Sequence, residues 1–233
     1  MVGSFWQEIE SCGYSDGYTK DSRNRSDGLI VSTIEVSKNT NQFSSHFNKW
    51  HVRGSIGIRN PFSEDEVGYK NHTSHNFLLS FGVYENGIVS IGPESPTKDI
   101  LSWDSESDKE LKKVVKEKLV PCLEMAACRR NLVDFFEFIM TSVDGGVERS
   151  IPPLMRESLT HYYYIKPTYR AMNSQYLGLL YQAEGESQKA VAAYTRYLQF
   201  LEFRQEQTVA QEAKRSNERE MKIARSLIEA LQK

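Results

Sequence analysis

The chain has 233 residues, a formal net charge of -2 and 26% charged side chains. That length holds one large domain or two small ones, and the composition is that of a folded protein rather than a disordered one. The missing basic excess argues against nucleic acid as the main partner, because phosphate neutralisation supplies most of the affinity of nucleic-acid-binding domains.

The sequence indicates a cytoplasmic, reduced protein. The amino-terminal residues show neither a basic region nor an apolar run, so no secretory signal is expected. No window approaches the roughly 18 apolar residues of a membrane span, and we expect no membrane partner. The chain has 3 cysteines and no CxxC pair, which argues against a disulfide framework or a zinc knuckle. We expect no cofactor.

The first predicted elements are one helix and a set of strands. Residues 5–12 place Phe5, Trp6 and Ile9 on one helical face, and Gly13 can end that helix. The β-branched residues of 29–37 and the loose alternation in 50–59 favour strands. Asn86-Gly87 lies between two apolar runs and predicts a two-residue type I′ hairpin within 77–91.

Two long polar connections, 38–49 and 60–76, interrupt these strands, and loops of this length are often functional. They contain His46, His72 and His75, and acidic residues 64–66 lie beside the last two. Imidazoles near carboxylates bind divalent metals or act in acid–base catalysis, although side chains in polar loops are commonly just solvated. The histidines are therefore candidate partner-binding residues, or in a second hypothesis the centre of a metal-dependent hydrolase.

Helices follow from residue 105. Apolar residues recur at helical spacing in 105–119, with Ser105 or Ser107 as the expected cap. Pro121 is expected to break or restart this helix, and 131–140 forms another. Gly and Pro pairs in the following stretch indicate a linker at 142–153. The predicted organisation is an α+β domain at 1–141, with a small mainly antiparallel sheet and flanking helices, and an all-helical module at 154–233.

The helical module is predicted to begin with a helix at 154–165 and a second that starts at Pro167. The aromatic run HYYYIKPTY lies between them and is the main candidate surface for a protein partner. Adjacent residues of a helix point about 100° apart, so consecutive tyrosines cannot all face one core. The candidate partner-binding residues here are Tyr162, Tyr163, Tyr164, Tyr169 and Arg170.

Residues 171–201 predict two amphipathic helices joined at Gly185. The segment resembles a single tetratricopeptide repeat, with small residues at Gly178 and Ala190 that permit close helix approach and with Tyr181 and Tyr194 in the groove. The alternative, which the single copy favours, is an ordinary helical hairpin resting on the first domain.

The chain after Gly185 has neither Gly nor Pro and predicts a long terminal helix, with a break near Ser216 or in the polar stretch before it. Its last part carries the apolar residues Ile223, Leu227 and Leu231. This stripe packs on its own chain or on a second copy, which makes a homodimer one hypothesis.

Four segments of the first part of the chain are informative together: the opening FWQEIESCGY helix, the strand ending IEVSKN, the strand RGSIGI and the helix closing on LVPCLEM. They resemble a bacterial domain-of-unknown-function family, number four thousand three hundred and four. Some proteins with such layouts are similar to immunity proteins, which bind and neutralise a partner toxin. The resemblance implies a non-enzymatic cytoplasmic protein that binds another protein, such as a toxin, and masks it.

Overall fold

The structure is a computed structural model that describes residues 3–17, 20–40, 42, 48–63, 75–85, 87–90, 101–106, 108–141, 151–158 and 167–233. Only the backbone is described at 3, 63, 75–78, 141 and 167–172. The chain divides into two compact units. The sheet unit contains Met1–Arg59, Asn71–Cys128 and Pro152–His161; the helical unit contains Asn60–Lys70, Arg129–Ile151 and Tyr162–Lys233. The predicted α+β class, with an antiparallel sheet and a helical carboxy-terminal region, is confirmed.

The sheet has six antiparallel strands whose spatial order follows their order in the chain. Its strands are β1 (Ser15–Asp16), β2 (Ser22–Ser26), β3 (Ile30–Lys38), β4 (Trp50–Arg59), β5 (His75–Tyr84) and β6 (Gly87–Ser90). The strands predicted at 29–37 and 50–59 are confirmed as β3 and β4. The polar strands β1 and β2 were not predicted.

The predicted hairpin is confirmed as the pair β5 and β6, but its turn lies earlier than expected. The register ends with Tyr84 opposite Gly87, so Gly87 closes the ladder instead of occupying the turn. Gly87 has the expected positive φ, at 128°. Asn86 lies outside the described residues.

Along the chain, one helix precedes the strands and the other helices follow them. They are α1 (Gly3–Ser11), α2 (Lys109–Val114), α3 (Val120–Ala127), α4 (Arg129–Thr141), α5 (Pro153–Ser158), α6 (Pro167–Ala183), α7 (Ser187–Gln207) and α8 (Gln211–Leu231). The predicted helices at 5–12 and 131–140 are confirmed as α1 and α4. Of the helix predicted at 154–165, α5 supplies the first part, and residues 159–165 lie outside the described part of the chain.

The core of the sheet unit forms where α3 crosses β3 and β4. Gly54 of β4 lies opposite Ile34 and Phe81 in the neighbouring strands. A Cβ atom at Gly54 would stand 2.9 Å from both methyl carbons of Leu123 and 3.0 Å from Leu119. The glycine therefore lets the helix approach the middle of the sheet closely.

The cap of α2 differs from the prediction. Asp108, rather than Ser105 or Ser107, accepts hydrogen bonds from the backbone N–H groups of Glu110 and Leu111, at 2.7 and 3.2 Å. An aspartate at this position also places a negative charge at the positive end of the helix, which stabilises it further.

A π-helical turn, Val115–Leu119, joins α2 to α3. Pro121 follows it as one of the first residues of α3 and does not break the helical path. The proline restarts the α-helix where its missing N–H is tolerated. Every fourth residue along this path is fully buried: Leu111, Val115, Leu119 and Leu123 are each 0% exposed.

The helical unit contains α4 and the helical hairpin predicted at 171–201. The α6 helix begins at Pro167, as predicted, and Gly185 joins it to α7 with a φ of 76°. A Cβ at Gly178 would stand 2.5 Å from the Tyr194 ring, so the predicted close approach at this glycine is confirmed. The terminal helix is not continuous: Thr208 is extended, and α8 starts at Gln211.

A short 3-10 turn, Pro61–Ser63, belongs to the helical unit and was not predicted. The Phe62 ring lies 5.0 Å from the Tyr197 ring and 6.2 Å from the Tyr194 ring. Arg219 donates to the Phe62 carbonyl at 3.1 Å, and Asn60 donates to the Gln175 side chain at 3.1 Å. These contacts attach the turn to the hairpin and to α8.

The predicted domain division at 1–141 and 154–233 stays a prediction, because linker residues 142–150 lie outside the described residues. The compact units themselves are built from interleaved segments. The helix α4 belongs to the helical unit, whereas α5 belongs to the sheet unit. In the sheet unit, the Ser158 and Ser90 hydroxyls form a 2.6 Å hydrogen bond that ties α5 to β6.

Candidate functional sites

Most of the predicted partner-binding residues lie outside the described part of the chain. These are His46, His72, Tyr162, Tyr163 and Tyr164. His75 is the first residue of β5, and Tyr169 and Arg170 lie in the first turn of α6, each with only its backbone described. Their roles stay predictions.

The described residues contain no group of three or more histidine, cysteine or acidic side chains that could hold a metal ion. The histidines of the hydrolase hypothesis are outside that search, because the side chains of His72 and His75 are not described. Among the described residues, every helix is too short or too polar to cross a membrane.

Hydrogen bonds among Tyr197, Arg204 and Glu220 hold α7 against α8 in the helical unit, and we call these three residues the polar lock. The Tyr197 hydroxyl donates to one carboxylate oxygen of Glu220, and Arg204 donates to the other at 3.0 Å. Ser216 also donates to Glu220, at 3.3 Å. Burial, with a smaller contribution from the Glu220 charge, raises the pKa of Tyr197 above its usual value. The phenol therefore stays protonated and keeps donating.

Two exposed apolar side chains lie near the end of α7, one on its last turns and one just after it. Phe203 is 63% exposed and Val209 is 90% exposed, and they are the only exposed large apolar side chains among the described residues. We call these two residues the α7 corner. Phe200 lies one turn before Phe203. Its ring stacks on the Tyr197 ring, with 6.3 Å between the ring centroids, and the Arg204 guanidinium lies over the Phe200 ring at 5.6 Å from its centroid. The corner is thus attached to a well-packed helix end.

The sheet unit contains a separate cleft of about 410 Å³. Its walls come from β2, the start of β3, the end of α3 and the segment after α1. The lining residues are Tyr14, Arg25, Ser26, Asp27, Ile30, Ser32, Glu124, Ala127 and Cys128. A volume of this size falls within the range of small-molecule sites.

An ion pair lies on the wall of this cleft. Arg25 donates to Glu124 at 2.7 Å, and both side chains are about half exposed. Asp27 accepts hydrogen bonds through Oδ1 from the backbone N–H groups of Leu29 and Ile30, at 3.0 and 2.7 Å. The cleft is therefore rimmed by two carboxylates and one guanidinium in fixed positions.

Tyr14 lies deeper in the cleft and is only 2% exposed. Its hydroxyl oxygen is almost completely covered by protein atoms. Burial raises the pKa of Tyr14 well above its usual value, while the Arg25 charge and the Ser32 hydroxyl oppose that shift.

No protein-family model, curated protein or solved structure matches this chain. The resemblances to a tetratricopeptide repeat and to the bacterial family of unknown function therefore stay predictions.

Neither the α7 corner nor the cleft was predicted from the sequence. Phe203 could have been noticed, because it falls off the buried stripe that Tyr194, Tyr197 and Leu201 form on α7. The cleft had no local signal, since its ion pair joins residues separated by 99 positions.

Proposed function

We propose that this chain is a non-enzymatic protein-binding protein whose α7 corner contacts the partner. The observation that carries the proposal is the exposure of Phe203 and Val209 at one helix end, in a chain whose other described large apolar side chains are at least partly covered. A phenylalanine and a valine that become fully buried at an interface contribute about 1.5 to 3 kcal/mol each, before the costs of association.

The support beneath the corner favours binding. The lock of Tyr197, Arg204 and Glu220 holds α7 and α8 in one arrangement, so little side-chain or helix ordering has to accompany docking. Preorganised surfaces lose less entropy on association. Well-packed aromatic side chains are the common energetic centres of protein interfaces.

The charges around the α7 corner favour a partner whose contacting surface is basic at its edge. Val209 lies between α7 and α8. Glu206 precedes it near the end of α7, Glu212 follows it in the first turn of α8, and both glutamates are exposed. Complementary charge mainly steers the encounter and fixes the register of the complex. An immunity-type role is the more specific form of the proposal: the chain would cover the active surface of a toxin and so block its substrate.

The experiment compares the wild-type chain with Phe203→Ser, Val209→Asp and the double variant. Gln199→Ser is the matched control, because Gln199 is an exposed residue of the same helix. A partner captured at one-to-one stoichiometry is identified, purified and titrated with each variant by calorimetry. We expect the double variant to raise the Kd about 30-fold or more, which corresponds to a hot spot of about 2 kcal/mol.

An unchanged Kd in the double variant would exclude the α7 corner. A parallel variant in which Tyr162, Tyr163 and Tyr164 are changed to alanine tests the predicted aromatic surface with the same partner. If no stoichiometric partner is captured, the protein-binding proposal is wrong. If a partner is captured and neither variant changes its binding, neither of these two surfaces contacts it.

A further inference from the structure

The connection between α7 and α8 contains neither glycine nor proline. The chain from Ser187 to Leu231 is helical except at Thr208, Val209 and Ala210, which we call the hinge. Thr208 has a φ of -87° and a ψ of 126°, and Ala210 has a φ of -69° and a ψ of 127°. Both φ values are already near the helical value of about -63°, so ψ is the angle that has to change for the helix to continue. The straight form of the hinge is therefore open to this sequence.

The hinge is also less firmly closed than the turn between α6 and α7. That turn contains Gly185 at a φ of 76°, a conformation that ends a helix. At the hinge, Ala210 is the N-cap of α8 and makes no side-chain cap bond, and alanine is a poor N-cap. The Thr208 hydroxyl donates to the Arg204 carbonyl at 2.6 Å, a bond that threonine also makes inside continuous helices. The contacts at the hinge thus favour the bent form only weakly.

The packing of α8 on the helical unit has little fully buried apolar surface. Three of its residues are buried, and one of these is polar: Asn217, Met221 and Ala224. Half-buried apolar side chains and polar pairs, such as Arg204 with Glu220 at 3.0 Å, make up the rest of the contact. Elements with few buried apolar contacts open locally at a low cost in free energy. We therefore expect α8 to separate from α7 more readily than α6 does.

We propose that α8 is exchanged between two copies of this chain, so that α8 of each copy packs on α7 of the other. Both copies have the same sequence, so every contact between α7 and α8 is made again across the dimer, and such swapping is a low-cost route to a symmetric dimer. The two straightened hinges meet at the twofold axis, which brings the two Val209 side chains together. Val209 is 90% exposed in the single chain, and this contact covers it.

The swapped dimer is separate from the protein-binding proposal. It covers Val209, which is part of the α7 corner, so a dimer and a bound partner compete for that residue. Light scattering and mass spectrometry of the purified chain test the dimer without any other protein, so that either proposal can fail while the other stands.

The first measurement is the oligomeric state of the full chain after refolding from urea at low and at high protein concentration. We expect the dimer fraction to rise with concentration, because association follows mass action. The dimer should outlast dilution on a sizing column, since α8 has to detach before the copies separate. A chain that stays monomeric at every concentration overturns the proposal.

The variant Ala210→Pro distinguishes a swapped dimer from a side-by-side dimer. The φ of Ala210 already suits proline, so the monomer should unfold at the same urea concentration as the wild-type chain or a higher one. In a straight hinge the proline ring would clash with the carbonyl of Glu206, so the association constant should fall about 100-fold or more. Ala213→Ser, at an exposed site of α8, is the control and should leave the dimer intact. A dimer that withstands Ala210→Pro overturns the proposal.

A pair of charge reversals identifies the exchanged helix. Arg204→Glu and Glu220→Arg each place like charges opposite one another, both in a single chain and in a dimer of that variant. A mixed dimer that exchanges α8 pairs opposite charges in both halves. Native mass spectrometry of the two variants refolded together should therefore show more mixed dimer than the statistical half. Labelled and unlabelled wild-type chains are the control and should give that half; a statistical or lower fraction for the variants contradicts the exchange of α8.

Discussion

The substitution Gly178→Ala tests the close contact between α6 and α7 at this glycine. The added Cβ would stand 2.5 and 2.6 Å from Cε1 and Cδ1 of Tyr194, whereas ordinary contacts begin at 3.4 Å. The ring would have to retreat by 3.4 - 2.5 = 0.9 Å. It has little freedom to do so, because Tyr194 is 0% exposed and its hydroxyl donates to Gln182 at 2.8 Å.

Two opposing effects set the magnitude. Overpacking of a core costs about 1 to 3 kcal/mol, and replacing a helical glycine by alanine returns about 1 kcal/mol through helix propensity. The net expectation is that Gly178→Ala lowers the free energy of unfolding by up to about 2 kcal/mol. Urea unfolding followed by circular dichroism measures the change, and an unchanged m-value shows that the unfolding transition itself is the same.

The matched control places Gly178→Ala in a Tyr194→Leu background, where the ring that causes the clash is gone. There the same substitution should stabilise the chain by about 1 kcal/mol, since only the propensity effect remains. If Gly178→Ala stabilises the otherwise wild-type chain, the helices are not in contact at this glycine and the packing argument is refuted.

Two further predictions concern pH and self-association. Burial raises the pKa of Tyr194 above its ordinary 10.0 and that of Cys122 from 9.0 to about 12; the unfolded chain therefore loses these protons first. The stabilisation linked to these two groups is fully present below about pH 9. Above that pH the free energy of unfolding should fall, by up to about 1.4 kcal/mol per pH unit per group. Urea titrations at about pH 8 and pH 10.5 measure this, and Tyr194→Phe should reduce the slope; a flat profile contradicts the burial argument. The homodimer hypothesis rests on Ile223, Leu227 and Leu231, which are only half-buried on α8. Leu227→Glu with Leu231→Glu should convert a dimer to a monomer in light scattering, with Lys222→Glu, an exposed site on α8, as the control; a monomeric wild-type chain would exclude the dimer.

The sequence predicted the elements whose apolar pattern is strong. The helix at 5–12 and the hairpin around Gly185 carry a helical period, and the strand that became β3 is rich in β-branched residues. Gly178 was also informative, because a glycine inside a helical pattern usually has a packing reason.

The polar strand β2 could not be predicted, since its sequence SRNRS contains no apolar residue. Its place is set by pairing with β3 and by Arg23, which lies 4.5 Å over the Trp6 ring and pairs with Glu10. These partners are distant in the chain. The same is true of Phe62, whose surroundings come from α7 and α8. Local patterns carry no information about such contacts.

The candidate sites were less accessible to prediction than the fold. The predicted aromatic and histidine residues rest on residue type alone and remain to be tested. The cleft and the α7 corner depend on which side chains the fold brings together and which it leaves exposed, and only the folded arrangement determines that. Phe203 and Tyr14 look like ordinary aromatic residues in the sequence.

The π-helical turn at Val115–Leu119 holds one residue more than a regular α-helix would. A repeat of four residues exceeds the 3.6 of an α-helix, so along a regular helix the buried positions would drift by about 40° at each step from Leu111 to Leu123. The wider turn absorbs that drift. Loss of a single residue among the exposed positions 116–118 would restore an ordinary helix, in which the buried residues fall at the three- and four-residue spacings that share one face. A one-codon deletion at this turn should therefore leave α3 facing Gly54, whereas the same deletion inside α3 would turn the rest of the helix by about 100°.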